Sequence, residues 1–303
     1  MSYLGRYAPS PTGDLHLGNA LAAVCAWARA RRAGGRCLLR IEDLDTPRVV
    51  MGATARMLED LARLGLAFDG ETLVQSQDCH RYHDALERLR AAGLVYGCRC
   101  SRRDLLRAAS APHEGDDGPA YPGTCRALAL PLDDPSLPVA WRFRVVPGPS
   151  SVVVIDDALQ GTFTQDVAAA VGDFIVKRKD GLFAYQLAVV VDDALQGISE
   201  VVRGRDLLSS APRQALLFRA LGAPTPRFAH LPLWLDGEGH RIAKRSQGAP
   251  HLLRKLFATN ETPQQILGRI GAVLGVCRAG ASLSAAELAD LLDDAVLRRE
   301  TVT

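Results

Sequence analysis

Arg6, His16 and Gly18 frame the first stretch able to do chemistry, Arg6-Tyr-Ala-Pro-Ser-Pro-Thr-Gly-Asp-Leu-His16-Leu-Gly18. Two prolines and a glycine within five residues exclude a helix or central strand there and predict a tight, extended turn. His16 and Gly18 then fall at the start of an amphipathic run, where free N–H groups and a partial positive charge suit a phosphate. His16 can donate a hydrogen bond to a phosphate oxygen, and Gly18 lets a flat ring or a phosphate reach the backbone. A second set, Glu42-Asp43-Leu-Asp45, closes the apolar run Cys37-Leu-Leu-Arg-Ile41. Beyond the carboxyl end of a strand, Glu42 is placed to meet an ammonium group. Cys98-x-Cys100 and Cys125 are three thiols within twenty-eight residues. Soft sulfur donors so spaced suit one zinc ion, whose fourth ligand must come from elsewhere, with His113 the usual chemical choice. Cys79-His80-x-x-His83 lies on one predicted helix but shows no further ligand.

Elements must hold these groups. A short strand near residues 2–7 leads into the turn, a helix over 19–32 ends at Gly34-Gly35, and a buried strand covers 36–42. Helical periodicity over 50–64 and 78–92 turns Leu58, Leu61 and Leu64, then Leu86 and Leu89, towards a core. Residues 127–176 alternate as strands do. Phe183-Ala-Tyr185-Gln-Leu-Ala-Val-Val-Val-Asp-Asp193 reads as a strand and hairpin returning to a main sheet. Helices are expected near 251–257, 262–274 and 284–298, the last with a capping box, Ser284-Ala-Ala-Glu287. The 303 residues carry a net charge of +2, so any RNA contact must come from local patches. No run of eighteen apolar residues and no basic-then-apolar start point to a membrane or to secretion, and seven cysteines read as reduced thiols, which fits a cytoplasmic protein. Cys25, Cys37, Cys79 and Cys277 are expected to fill the core.

With its turn, helix and strand end, the chain resembles the class I glutamyl-tRNA synthetases. His16-Leu-Gly-Asn19 stands at the family's His-Ile-Gly-His motif, with Asn19 keeping a hydrogen-bonding side chain in place of the last imidazole. Arg40-Ile-Glu42-Asp-Leu-Asp45 is similar to the sequence after the family's first crossover. Gly239-His-Arg241-Ile-Ala-Lys244-Arg-Ser246 resembles the mobile Lys-Met-Ser-Lys-Ser loop in degenerate form: Lys244 matches the second lysine, while Arg241 and Ala243 replace the first lysine and the serine.

The resemblance covers residues 5 to about 257 and implies an α/β fold, a Rossmann-type class I catalytic domain. That domain would comprise 1–90 and 181–240, split by a zinc-bearing module at 91–180 and followed by the ATP loop and a helical segment at 241–303, with no anticodon-binding domain. It implies ATP, with Mg²⁺, and L-glutamate as substrates. Glutamate is assigned to Arg6, Tyr7, Ala8, Pro9, Ser10, Glu42, Tyr185 and Arg203, with Glu42 on the α-ammonium group. Two arginine forks and a tyrosine hydroxyl would select a dicarboxylate over its amide. ATP is assigned to His16, Gly18, Asn19 and Lys244, with His16 and Lys244 as catalytic residues. Tyr121 is implied as fourth ligand of a single structural Zn²⁺ held by Cys98, Cys100 and Cys125, with His113 as runner-up. Arg203-Gly-Arg-Asp-Leu-Leu, where ordinary members read Arg-Gly-Glu-Asp-His, resembles a shorter paralogous branch. That branch implies glutamate activation without tRNA and transfer to queuosine in the anticodon stem-loop of tRNA(Asp), by a monomer. A short enzyme charging tRNA(Glu), and a tRNA- or nucleotide-binding module without catalysis, are the other readings of these residues.

Overall fold

The structure is a computed structural model and describes residues 2–101, 104, 120–240, 242 and 251–303. Strand β1 (Leu4–Tyr7) enters the Pro/Gly turn, and helix α1 (Leu17–Arg32) leaves it for β2 (Arg36–Ile41), which runs parallel to β1 and pairs onward with β3 (Leu73–Val74). Between β2 and β3 lies α2 (Ala53–Arg63), and α3 (His80–Ala91) follows β3. On α2 the buried apolar face is Ala53, Met57 and Leu61, continued by Leu64 just beyond the helix, whereas Leu58 is exposed. The core stripe follows i, i+4, i+7 from Met57, and Leu58 sits one step around the helix from it.

The inserted stretch begins with β4 (Val95–Cys98), which pairs antiparallel with β5 (Ala140–Phe143), itself paired with β8 (Phe174–Lys177). Two strands from the same stretch, β6 (Val152–Asp157) and β7 (Gly161–Asp166), belong instead to a sheet with β9 (Glu200–Gly204) and β10 (Arg227–Leu231), in the order β7-β6-β10-β9. The short helix α4 (Val167–Ala170) joins β7 to β8.

Residues Tyr185–Gln196 form a helix, α5, not the strand that the valine run predicts. Leu187 to Asp193 are all buried there, packed with α3 and the following helix α6 (Ala211–Ala220). Burial on nearly every side supplies the stabilisation that the β-branched run lacks as an isolated helix, and Gly197 closes it in the left-handed conformation (φ +67°).

The β1 and β9 sheets meet edge to edge, where the Ser199 N–H donates to Leu4 O at 2.8 Å. From this seam the chain winds outward in both directions, β1-α1-β2 one way and β9-α6-β10 the other. A crevice therefore opens at the carboxyl ends of β1 and β9, as in any doubly wound sheet. One face is closed by α1 with α7 (Leu253–Ala258), α8 (Pro263–Leu274) and α9 (Ala285–Leu291), the other by α3, α5 and α6, giving two apolar cores. The predicted box at Ser284 and Glu287 is formed. After α10 (Asp294–Leu297) the chain adds Thr301–Val302 (β12) beside Leu233–Trp234 (β11), a pairing no local pattern signals.

Gly172 shows how tightly the insertion is tied. Its φ is +69°, and a Cβ there would sit 2.3 Å from Tyr121 O. Gly172→Ala is expected to destabilise the protein by at least about 2 kcal/mol, since backbone strain and a backbone clash add. Urea unfolding checks this; a midpoint unchanged from wild type would show that the Tyr121 segment yields.

Candidate active site

A cavity of about 480 Å³ occupies the crevice. Its walls include Arg6, Tyr7, Ala8, Pro9, Ser10, His16, Gly18, Asn19, Glu42, Tyr185 and Arg203. The structure thus brings together every sequence-predicted glutamate and ATP residue except Lys244, which lies outside the described residues, as do Arg241 and Ala243. The flanks of that segment are described. The Ile242 N–H donates to Trp234 O at 2.9 Å, and Leu252 bridges antiparallel to His16, with the Leu17 N–H on His251 O and the Leu253 N–H on Leu15 O, both at 2.9 Å. Both flanks are therefore pinned to the wall that carries His16.

His16 is the N-cap of α1. Its Nδ1 accepts from the Asn19 N–H (3.3 Å), and Asn19 Oδ1 accepts from the His16 N–H (3.2 Å). Asn19 thus completes a capping box, a use of this position that the sequence reading did not contain. With Nδ1 as acceptor, the neutral ring carries its proton on Nε2. A Cβ on Gly18 would lie 3.0 Å from His16 Cε1, so glycine gives the imidazole its place over the first turn.

Across the seam, Arg6 on β1 and Arg203 on β9 are both buried, at 3% and 6% exposure. Their surroundings differ. Arg6 Nε donates to Asp193 Oδ1 (3.1 Å), which also accepts from Arg40 Nη1 (2.7 Å). Arg40, wholly buried, also donates to Glu42 Oε1 (3.1 Å) and lies 3.7 Å from Asp192. Arg203 donates only to neutral acceptors: His230 Nε2 (3.0 Å), Gln214 Oε1 (2.8 Å), Leu207 O (3.2 Å) and the Tyr185 hydroxyl (3.4 Å). Among the described residues no carboxylate pairs with it. Burial pushes its pKa down and Arg6 pushes the same way, while Tyr185 and the more distant Asp193 oppose the fall in part. A buried cation without a counterion carries a desolvation cost that an incoming anion relieves.

Glu42 lies at the carboxyl end of β2, with its N–H on Pro9 O (3.0 Å). Burial raises its pKa above the ordinary carboxylate value, while Arg40 and Arg6 oppose the rise. Arg40, Asp193, His230 and Gln214 were not singled out from the sequence. The Asp192-Asp193 pair closing an apolar run was the one visible signal.

A second cavity of about 1010 Å³ adjoins the first, sharing Ser10, Glu42, Asp45, Arg48 and Tyr185, and reaches Cys100. At that end Cys98, Cys100 and Cys125 place their sulfurs within 4.8 Å of one another. Cys100 and Cys125 Sγ are 3.5 Å apart, and the Tyr121 hydroxyl is 3.4 Å from Cys98 Sγ and 4.0 Å from Cys100 Sγ. Tetrahedral bonds of about 2.3 Å put zinc-bound sulfurs roughly 3.8 Å apart, so the donor set fits a metal. His113 lies outside the described residues. His80 and His83 are not part of a metal-ligand group among those residues; His83 stacks edge-on against Phe183 instead.

A doubly wound sheet, a helix N-terminus at its switch point and paired arginines with an acidic partner make a crevice suited to anionic ligands. The family described as tRNA synthetases class I (E and Q), catalytic domain, matches residues 4–286, and the chain belongs to it. It is 46% identical over 283 residues to the glutamyl-Q tRNA(Asp) synthetase of Geobacter sulfurreducens, covering 89% of this chain and 88% of that one. With the enzyme of the same name from Thiobacillus denitrificans it shares 50% over 249 residues, 82% of this chain and 79% of the relative. Among solved structures, a glutamate tRNA ligase from Elizabethkingia meningosepticum superposes with a TM-score of 0.80 at 23% identity, covering 100% of this chain and 67% of that one. Mycobacterium tuberculosis methionyl-tRNA synthetase gives 0.53 at 11% identity, covering 88% of this chain and 63% of that one. These two show the shared fold. No helix among the described residues is long and apolar enough to cross a membrane.

Proposed function

We propose that the protein activates L-glutamate with ATP, without tRNA, and passes the glutamyl group to queuosine at the wobble position of tRNA(Asp). The observation that carries the first half is Arg203, a buried guanidinium on the cavity wall whose described partners are all neutral. Arg203, Arg6 and Tyr185 would hold the substrate's side-chain carboxylate and Glu42 its α-ammonium group, with Tyr7, Ala8, Pro9 and Ser10 completing the wall. His16, Gly18, Asn19 and Lys244 would hold ATP. The α-carboxylate of glutamate, ionised at neutral pH and in need of no base, attacks the α-phosphorus of ATP as the bond to pyrophosphate breaks, giving glutamyl-adenylate. Mg²⁺, when bound, would screen the triphosphate. A queuosine hydroxyl then attacks the glutamyl carbonyl, and AMP leaves. Relatives at 46% to 50% identity that bear the glutamyl-Q name support this acceptor. Cys98, Cys100, Tyr121 and Cys125 would hold one structural Zn²⁺, and the enzyme would act as a cytoplasmic monomer.

Glutamate-dependent ATP–pyrophosphate exchange tests the proposal. Exchange without tRNA, followed by glutamylation of queuosine-containing tRNA(Asp), is the expected result. Exchange only with tRNA(Glu) would make the protein a short charging enzyme, and no exchange at all a binding module.

The same assay has a pH signature. Protonated Glu42 cannot pair with an ammonium group, so glutamate affinity should fall as pH drops through Glu42's raised pKa, above the usual range near 4.5. Below that point the loss approaches about tenfold per pH unit. Glutamate Kd measured against pH shows this, and Glu42→Gln should bind weakly with a flatter profile, keeping only the dependence due to the substrate's own side-chain carboxyl. A wild-type profile as flat as the variant's would remove Glu42 from the ammonium site.

A further inference from the structure

His230 lies on β10 with no exposed surface, wedged between Arg203 and Asp157. Its Nε2 accepts from Arg203 Nε at 3.0 Å, and its Nδ1 stands 2.5 Å from Asp157 Oδ2. A guanidinium only donates, so Nε2 must offer its lone pair, and the ring proton is on Nδ1, donated to Asp157. The ring is therefore neutral, and burial pushes its pKa down, with Arg203 adding to the effect. Asp157 is held further by the backbone N–H groups of Leu159, Gln160 and His230 at 2.9–3.1 Å. Asp157 is thus one imidazole away from Arg203, and the carboxylate that acts on the guanidinium through space is Asp193, which Arg6 and Arg40 already hold. On the other side of the guanidinium, Gln214 is oriented by Gln186, whose Oε1 accepts from Gln214 Nε2 at 2.9 Å, so that its own Oε1 faces Arg203.

We infer that His230, braced by Asp157, is a positioning and specificity-determining residue that aims Arg203 with an uncharged acceptor and so leaves its full charge for the substrate carboxylate. A carboxylate in the place of His230 would pair with Arg203 and cancel the pull that separates glutamate from glutamine. An apolar residue would leave Arg203 Nε without its acceptor and the fork free to turn. Arg6, by contrast, shares Asp193 with Arg40, so the surplus positive charge is on the Arg203 side. The inference rests on the proposed glutamate activation.

Three variants separate charge, aim and packing: His230→Gln keeps a neutral acceptor, His230→Leu removes it, and His230→Glu charges it. The readout is kcat/KM for glutamate over that for glutamine in ATP–pyrophosphate exchange, together with KM for ATP. The preference for glutamate should fall by at least about 30-fold in His230→Glu, as expected for losing a buried charged contact, and by an intermediate factor in His230→Leu. His230→Gln should recover it to within about threefold, and KM for ATP should stay near wild type throughout. Equal preference in all three variants, with only melting temperature changed, would overturn the inference and leave glutamate activation standing. A wild-type protein that neither binds nor activates glutamate would overturn both.

Discussion

Arg203→Ala should lose glutamate activation and keep ATP binding, with only a modest loss of stability. Truncating one partner of a buried, charged hydrogen-bond pair costs about 2–5 kcal/mol, so kcat/KM for glutamate should fall roughly 30- to 5000-fold. The accompanying stability is the informative part. Arg203 is buried against neutral acceptors, and Tyr185 and the more distant Asp193 offset only part of its desolvation while glutamate is absent. Removing the charge relieves part of the desolvation cost but orphans the buried acceptors of Arg203, so the melting temperature of the substrate-free variant should fall only modestly. Calorimetric titration with glutamate and with ATP, beside a thermal melt, checks all three. Unchanged glutamate dependence would remove Arg203 from the substrate site; a large drop in melting temperature would make its role structural.

The second large effect is expected at the thiol cluster. Wild-type protein should contain about one zinc per chain, and Cys98→Ser should lower zinc affinity by more than about a hundredfold, because even an outer-shell partner is worth 10–100-fold. Cys98 ends β4 while Tyr121 bridges to Gly172, so the ion would tie two separate parts of the insertion. Tyr121→Phe is the sharper probe. It keeps the ring on which the Arg142 guanidinium stacks at 3.7 Å and removes the hydroxyl. Zinc content by metal analysis and proteolysis across 91–180 should move together in Cys98→Ser. In Tyr121→Phe zinc should weaken with packing retained. Full zinc retention in Tyr121→Phe would show that the fourth donor is another group.

Much of this site was legible in the residues alone. The Pro/Gly turn, the helix beginning at His16, the carboxylate ending β2 and the thiol spacing are local features, and local sterics and ligand chemistry dictate them. Cys25 and Cys37 are buried as expected, while Cys79 and Cys277 are only partly so. What the tertiary structure decided depends on groups far apart in the chain. Tyr185 begins a helix, because burial among α3, α6 and the sheets outweighs the strand preference of three valines. Leu58 faces solvent because the core lies along Met57 and Leu61. The strands at 152–166 join β10, since pairing is chosen by packing across the sheet and not by position in the chain. Above all, sequence shows that Arg6 and Arg203 are arginines. Only the fold shows that Asp193 compensates the first, while a neutral histidine leaves the second charged. The energy of a buried ion depends on what surrounds it, and that surrounding is assembled from residues 157, 185, 214 and 230.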